Sequence, residues 1–353
     1  MAVRVMIMAG GTGGHVFPAL AVAENLRDAG HDVSWLGTRK GIEAAVVPAA
    51  GFAMDSLSVS GLRGKGIVSL LLAPFMLLKA CMQASKIIRQ RQPDVVLGLG
   101  GFASGPGGLM SWVHGKPLVI HEQNRVPGTT NRLLKRLATR VLEAFPNSFD
   151  DKAKAVCTGN PVRKELLNAC RRKERKRANV LIVGGSLGAS ILNEVVPAAL
   201  KDLQQQLGIN VIHQAGKSTI ESAKSAYRAA GVTADVRVFI DDMKAVYEWA
   251  DVVICRAGAM TISELAVMGL PSILVPLPHA IDDHQAKNAK FLTDEEAAFL
   301  VPQSELSAAT LAAKLGELLA DAEKIKNMGS KALSLAKPEA TQEVANICLE
   351  VAL

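Results

Sequence analysis

The sequence predicts an α/β chain built as two Rossmann-like halves, each around a parallel sheet, and three observations predict it. Apolar runs of strand length alternate with helical patterns along the chain; the alternation restarts at Asn179; and each half opens with a strand, a glycine turn and a helix. Such alternation is the grammar of βαβ units, whose parallel strands need crossover helices. A length of 353 residues is enough for two halves that each bury their own core.

In the first half VRVMIMA at 3–9 is the opening strand, followed by the turn GGTGGH at 10–15 and a helix from about Pro18 to Ala29. DVSWLG at 32–37, DVVLGLG at 94–100, PLVIHE at 117–122 and RVLEAF at 140–145 are later strands. The alternation lapses between about Ala144 and Ala178, where PNSFDDKAK and the charge run at 171–177 read as a solvated junction. The expected domains are therefore 1–158 and 159–337. In the second half NVLIVGG at 179–185 runs into the turn GGSLGA at 184–189, and NVIHQAG at 210–216, VRVFID at 236–241, DVVICRAG at 251–258 and PSILVP at 271–276 follow with helices between. An amphipathic helix is expected from about Pro338 to Val351.

Composition narrows the function classes. Hydrophobic residues at 49% and charged residues at 21% describe a globular chain. No span qualifies as transmembrane, and the chain opens on a strand with no basic leader before it, so a cytoplasmic location is expected. Five scattered cysteines without CxxC spacing argue against a disulfide framework or a zinc site. Residues 1–158 hold 18 Lys/Arg against 10 Asp/Glu, whereas residues 159–353 hold 22 against 23, so the basic excess belongs to the first half. That suits an anionic lipid surface or an anionic substrate. Nucleic acid is the weaker option and is not expected as a partner, because aromatics make up only 4% of the chain and no recognition motif occurs. The stretch 67–78, IVSLLLAPFMLL, is too short to span a bilayer and lies among Arg63, Lys65, Lys79, Lys86, Arg89 and Arg91. It reads either as a buried crossover helix or, with the cations around it, as a peripheral membrane face.

Both glycine turns place backbone N–H groups at a helix N-terminus, where unpaired donors and the helix dipole favour an anion, most often phosphate. A dinucleotide is not that anion: Gly11-Thr-Gly13-Gly-His-Val16 lacks the final glycine of the fingerprint, and Gly37-Thr-Arg-Lys40 stands where its acid belongs. GxxxxGK[ST] is absent too. The segment DVVICRAGAMTISEL at 251–265 carries the most chemistry. A helix starting near Thr261 would put Thr261 and Glu264 in capping-box spacing; alternatively Glu264 faces the sheet's carboxyl end and accepts from a ribose, with amides at 258–260 offered to a diphosphate.

GGTGGHVFPALA, SGLRGKGI, PDVVLGLGGFASGPGG, HEQN, GNPVR, GGSLGA, FIDDM, CRAGAMTISELA and HAIDDHQAKNA occur in that order over nearly the whole chain. Together they resemble the MurG family of bacterial glycosyltransferases, which transfer N-acetylglucosamine from UDP-N-acetylglucosamine to an undecaprenyl-pyrophosphoryl-MurNAc-pentapeptide in peptidoglycan synthesis. The resemblance implies a GT-B fold, two facing Rossmann-like domains with a cleft between them, and a last helix that packs back on the first. It implies a donor site of Glu264 at the ribose, Ala259, Met260, Thr261, Ile262 and Ser263 as a backbone cradle, the main chain of Ile240 at uracil, Ser186 and Arg163 at the nucleotide, and Gln285 and Asn124 at the donor sugar, with His284 and Asp282 as second choices. Thr12, Gly13 and Gly14 would admit the acceptor's diphosphate. Phe102 stands where members often have tyrosine, and Leu187 where some have glutamine, which leaves only the backbone of that turn for phosphate.

Such a transfer is a single inverting displacement at the anomeric carbon by the acceptor's C4 hydroxyl, needing a general base and no protein nucleophile. His15 is the candidate base, its imidazole expected to be kept neutral by the helix N-terminus; a cap histidine that orients the acceptor is the other reading. No Asp-x-Asp occurs, so no metal and no cofactor is expected, and helix N-termini, the turn at Ser186 and Arg163 or Arg256 would stabilise the leaving diphosphate. Attachment to the cytoplasmic face of a cell membrane is expected. A UDP-N-acetylglucosamine epimerase of the same fold and a non-catalytic sugar-nucleotide sensor are the alternatives, and neither needs the acceptor loops.

Overall fold

The computed structural model describes residues 2–59, 73–150, 155–168, 177–185, 187–278 and 281–353. SGLRGKGI at 60–67, the first part of the apolar stretch, Cys170, the charge run to Lys176, Ser186 and His279 lie outside them. In chain order the elements are β1 Arg4–Ala9, α1 Gly13–Asp28, β2 Asp32–Thr38, α2 Glu43–Ala49, β3 Ala53–Leu57, α3 Ala73–Arg91, β4 Val95–Gly100, α4 Ser104–Val113, β5 Leu118–Glu122, α5 Thr129–Leu134, β6 Arg140–Glu143 and β7 Ala155–Cys157. Then come α6 Lys164–Leu167, β8 Asn179–Val183, α7 Ser190–Leu207, β9 Asn210–Gln214, α8 Ile220–Ala230, β10 Asp235–Arg237, α9 Met243–Trp249, β11 Val252–Cys255, α10 Ala259–Met268, β12 Ser272–Leu274, α11 His284–Thr293, β13 Ala298–Leu300, α12 Ala308–Leu319, α13 Ala322–Ser334 and α14 Ala340–Ala352.

Two compact units result, one of residues 1–163 and 337–353 and one of residues 164–336. The first holds a seven-stranded sheet in the order β3-β2-β1-β4-β5-β6-β7, the second a six-stranded sheet in the order β10-β9-β8-β11-β12-β13. Every pairing is parallel. In each, the chain runs outward from its first strand, then returns to that strand's other side, so a switch point opens at β1/β4 and at β8/β11. Crevices at the carboxyl ends of such strands are where open α/β sheets bind ligands.

The period of two along a strand builds the first core. Val5, Ile7 and Ala9 enter the cluster under α1, with Val16, Ala19 and Leu26, while Met6 and Met8 face the opposite cluster with Ala84, Ile88 and Leu134. Val344, Ala345 and Cys348 of α14 are fully buried in the same cluster as Val5 and Ile7. In the second unit Val180, Ile182, Val252 and Ile254 pack with Leu192, Val196, Leu311 and Leu315. The four described cysteines are free thiols.

Two boundaries differ from expectation. Helix α1 begins at Gly13, not near Pro18, because Thr12 is extended (φ −120°, ψ 159°) and its carbonyl already accepts from the N–H groups of His15 and Val16. Pro18 then sits in the second turn, where it forfeits one bond. Strand β10 ends at Arg237, so Ile240 lies in the loop beyond it and not at a strand end.

Candidate active site

In the first unit the loops after β1 and β4 meet backbone to backbone. A methyl group on Gly101 (φ +87°) would lie 2.3 Å from the Gly10 carbonyl oxygen, and one on Gly100 (φ +113°) would lie 3.0 Å from the His15 ring. Glycine at both positions is thus what lets the imidazole rest against the β4 loop. Ser104 fastens the two loops, its hydroxyl lying 2.7 Å from the Gly100 carbonyl and 3.0 Å from that of Met8. Thr12 Oγ1 stands 3.4 Å from His15 Nδ1, and a methyl group on Gly14 would meet that same Thr12 oxygen at 3.8 Å. Burial holds the imidazole below its ordinary pKa, opposed by the charge of Glu122, a backbone hydrogen bond at Gly10 and the charge of Glu43. Burial, then, is the first cause of the neutral ring, where the helix terminus was expected to be.

Sequence reading missed Glu43. It is fully buried, and its carboxylate accepts the Gly11 N–H at 2.9 Å, the Thr38 N–H at 3.0 Å and the Thr38 hydroxyl at 2.6 Å. Methyl groups on Gly10 and Gly41 would lie 2.4 and 1.9 Å from its oxygens, so these glycines make the slot that receives it. Asn124 hangs on a second buried acid: its N–H and side-chain amide donate to Glu122 Oε1 at 3.0 and 3.2 Å, while Gly128 N–H and the Asn131 amide donate to Oε2 at 3.0 and 2.9 Å. One carboxylate so folds the whole loop 122–131. Beside it His121 Nε2 donates to the Gly159 carbonyl at 2.9 Å, and Nδ1 accepts from the Gln123 amide at 3.0 Å. Burial takes His121 down to about 4, which keeps that tautomer neutral. Arg163 lies in the first unit with its guanidinium 5.0 Å over the Phe17 ring.

In the second unit α10 starts at Ala259 behind an extended Gly258 (φ −65°, ψ 144°). Thr261 is therefore the third helical residue and not the cap, which overturns the capping-box reading of Thr261 and Glu264. The Ile262 N–H bonds to the Gly258 carbonyl at 2.9 Å and closes the first turn, so the amides of residues 259–261 open toward the helix N-terminus. Ile262 itself is a core residue, and the Ser263 hydroxyl donates back to the Ala259 carbonyl at 3.1 Å. Glu264, 8% exposed, accepts from the Tyr247 hydroxyl at 3.0 Å. Arg256 spends its guanidinium on the Val275 and Pro276 carbonyls at 3.1 and 3.0 Å and on Gln303 Oε1 at 2.8 Å.

Gln285 and Ile240 follow the carboxyl ends of β12 and β10 in the same sheet. Gln285, in the first turn of α11, accepts the Leu277 N–H at 2.9 Å; Asp282 and Asp283 before it are both left-handed (φ 55° and 52°). The Ile240 N–H goes to Gln214 Oε1 at 2.9 Å, so that N–H is already engaged. Ser186 lies outside the described residues, between Gly185 (φ +87°) and Gly188 (φ +80°). Among the described residues no group of three or more His, Cys, Asp or Glu is placed to hold a metal ion.

Comparison with known proteins bears on the fold and the family. Residues 5–143 match the glycosyltransferase family 28 N-terminal domain, and residues 179–344 match the glycosyltransferase family 28 C-terminal domain. A UDP-N-acetylglucosamine--N-acetylmuramyl-(pentapeptide) pyrophosphoryl-undecaprenol N-acetylglucosamine transferase of Stutzerimonas stutzeri is 55% identical, over 100% of this chain and 99% of the relative. Its counterpart in Methylococcus capsulatus is 54% identical, again over 100% and 99%. The crystal structure of Acinetobacter baumannii MurG superposes with a TM-score of 0.84 at 42% identity, covering 99% of each chain. A UDP-N-acetylglucosamine 2-epimerase, 13% identical with a TM-score of 0.67 over 98% of this chain and 95% of its own, shares the fold alone.

Proposed function

The chain belongs to the MurG family within glycosyltransferase family 28, and on that premise we propose that it transfers N-acetylglucosamine from UDP-N-acetylglucosamine to the C4 hydroxyl of a lipid-linked MurNAc-pentapeptide, with inversion and release of UDP. In this reading His15 takes the C4 proton as the oxygen attacks the anomeric carbon. The observation that carries it is the His15 imidazole set against Gly100 at the β1/β4 switch point, burial keeping it able to accept a proton. Thr12, Gly13 and Gly14 leave room for the acceptor's diphosphate beside it, with amides at a helix N-terminus.

The donor belongs to the second unit. Glu264 would accept from the ribose, the amides of residues 259–261 and the turn 184–189 would face the diphosphate, and Gln285 would meet the sugar. Charge that builds on departing UDP is stabilised by dipoles already in place, which cost no reorganisation at the moment of reaction. Attachment to an anionic membrane surface fits the same chemistry, since the acceptor is a lipid. Among the described residues no helix is long and apolar enough to cross a membrane, but α3 has two faces: Ala80, Ala84 and Ile88 enter the core, while Phe75, Leu78 and Met82 stand 71%, 59% and 60% exposed, and α4, which packs beside it, exposes Trp112 and Val113. Exposed Lys79, Lys86 and Arg89 line the same helix.

The test is to incubate the protein with UDP-N-acetylglucosamine, with and without the lipid-linked acceptor. UDP release that depends on acceptor is expected; an isomerised sugar would make the protein an epimerase, and binding alone a sensor. His15→Ala should lower kcat by on the order of a hundredfold or more while UDP still binds, and the acid limb of the wild-type kcat/KM profile should lie below pH ~6.5, the ordinary histidine value. Near-normal turnover of that variant would discard the base.

A further inference from the structure

We propose that Gln214 is a positioning residue of the donor site, the side chain that ties the diphosphate turn to the base-facing loop so that both ends of the nucleotide meet one rigid wall. The proposal rests on the donor-site reading above and adds to it a residue that contacts neither end. Gln214 is the last residue of β9 and is buried; its Oε1 accepts the Ile240 N–H at 2.9 Å and its Nε2 donates to the Gly185 carbonyl at 2.9 Å.

The backbone that follows is wedged between the same two segments. On one side Ala215 N–H donates to the Arg237 carbonyl at 2.9 Å and Gly216 N–H to the Val238 carbonyl at 3.2 Å. On the other, a methyl group on Gly188 would lie 2.1 Å from the Ala215 carbonyl oxygen, and one on Gly216 would lie 2.6 Å from the Gly188 nitrogen. The Ala215 carbonyl also accepts from the Thr219 hydroxyl at 2.6 Å and the Asn193 amide at 3.1 Å. Gly185 with Gly188, segment 214–216 and loop 237–240 therefore form three stacked layers, and the Gln214 carboxamide joins all three.

The chemistry requires an amide. Its oxygen can only accept and its nitrogen only donate, matching one N–H on the Ile240 side and one carbonyl on the Gly185 side. A glutamate of the same length would bring an oxygen against the Gly185 carbonyl, and a leucine would leave the buried Ile240 N–H without its acceptor while the Gly185 carbonyl keeps only the Gly188 N–H at 3.0 Å. Without the tie, turn and loop must each be ordered when nucleotide binds, and that ordering is subtracted from affinity.

Calorimetric titration of UDP onto the full chain tests this, with wild type, Gln214→Leu, Gln214→Glu and, as reference, Glu264→Ala. Gln214→Leu should weaken UDP by on the order of tenfold and raise KM for UDP-N-acetylglucosamine, with kcat at saturating donor within about twofold. Gln214→Glu should bind weakly at pH 8 and regain affinity relative to wild type toward pH 5, where a protonated carboxyl can donate to the Gly185 carbonyl. The titratable neighbours are His213, turned to Tyr227, and the outward Lys217, Asp241 and Asp235–Arg237 pair; wild type at each pH removes their share. UDP affinity unchanged in Gln214→Leu, or weakness of Gln214→Glu that ignores pH, overturns the proposal. Unchanged affinity in Glu264→Ala would instead overturn the donor-site reading.

Discussion

At the scale of single residues, Glu43 illustrates what a sequence hides. In GIEAAVV it has the look of an acid in a helix's first turn, and nothing in its spacing signals that the carboxylate returns to Gly11 and Thr38. The turn that carries His15, by contrast, could be read directly, because four glycines ahead of a histidine after a strand describe a bare turn opening a helix. Glu43→Gln should cost about 1–3 kcal/mol, since an amide nitrogen cannot accept an N–H that the carboxylate now satisfies. It should also lower turnover by on the order of ten- to a hundredfold through displacement of the loop that carries His15, with UDP affinity unchanged. Denaturant unfolding and steady-state kinetics check both, and turnover equal to wild type would confine Glu43 to stability. Glu264 teaches the reverse. Its spacing from Thr261 matched a capping box, yet Gly258 is extended, the helix begins two residues earlier, and the carboxylate is met by Tyr247.

At the scale of elements, the strands and their parallel pairing were legible because buried parallel strands are continuous apolar runs, and the runs here are bounded by glycine turns. The two faces of α3 were not. Apolar residues at 67–78 fitted a buried helix and a membrane face equally, and among the described ones Phe75, Leu77 and Leu78 are exposed while the core takes Ala80, Ala84 and Ile88, which lie further along. Burial on one face needs small residues that let a helix approach its sheet, and those came from alanine. Replacing Phe75 and Met82 together by glutamate should leave stability within about 0.5 kcal/mol, as for other surface changes, and lower binding to phosphatidylglycerol-containing vesicles at least several-fold. Flotation at low salt measures it, and undiminished binding would remove α3 from the membrane face. The layers around Gln214 also belong to this scale, for they join loops separated by about fifty residues and could be seen only once β8, β9 and β10 were side by side.

At the scale of the whole molecule, buried neutral histidines set the response to acid. Burial lowers His121 to about 4 and His213 to about 3, against an ordinary value near 6.5 in the unfolded chain. Between those values the unfolded state binds more protons, so stability is full above pH ~6.5 and is lost as pH falls toward 4, each histidine contributing about 1.4 kcal/mol per pH unit at most. Melting temperatures should drop steadily from pH 6.5 to 4.5, and His213→Gln should flatten the part of the slope that comes from the second unit; a flat profile in wild type would refute this. That two halves exist was legible from the restart at Asn179, whereas the return of the last helix was implied by family resemblance, since an amphipathic stretch does not name the surface it covers. Its burial carries a temporal consequence. During synthesis residues 164–336 emerge as one unbroken stretch with their partners all present, but the nascent first unit lacks Val344, Ala345 and Cys348 until after the whole second unit has been made. The earlier-made portion of the polypeptide must therefore wait with an open apolar floor while the later one closes.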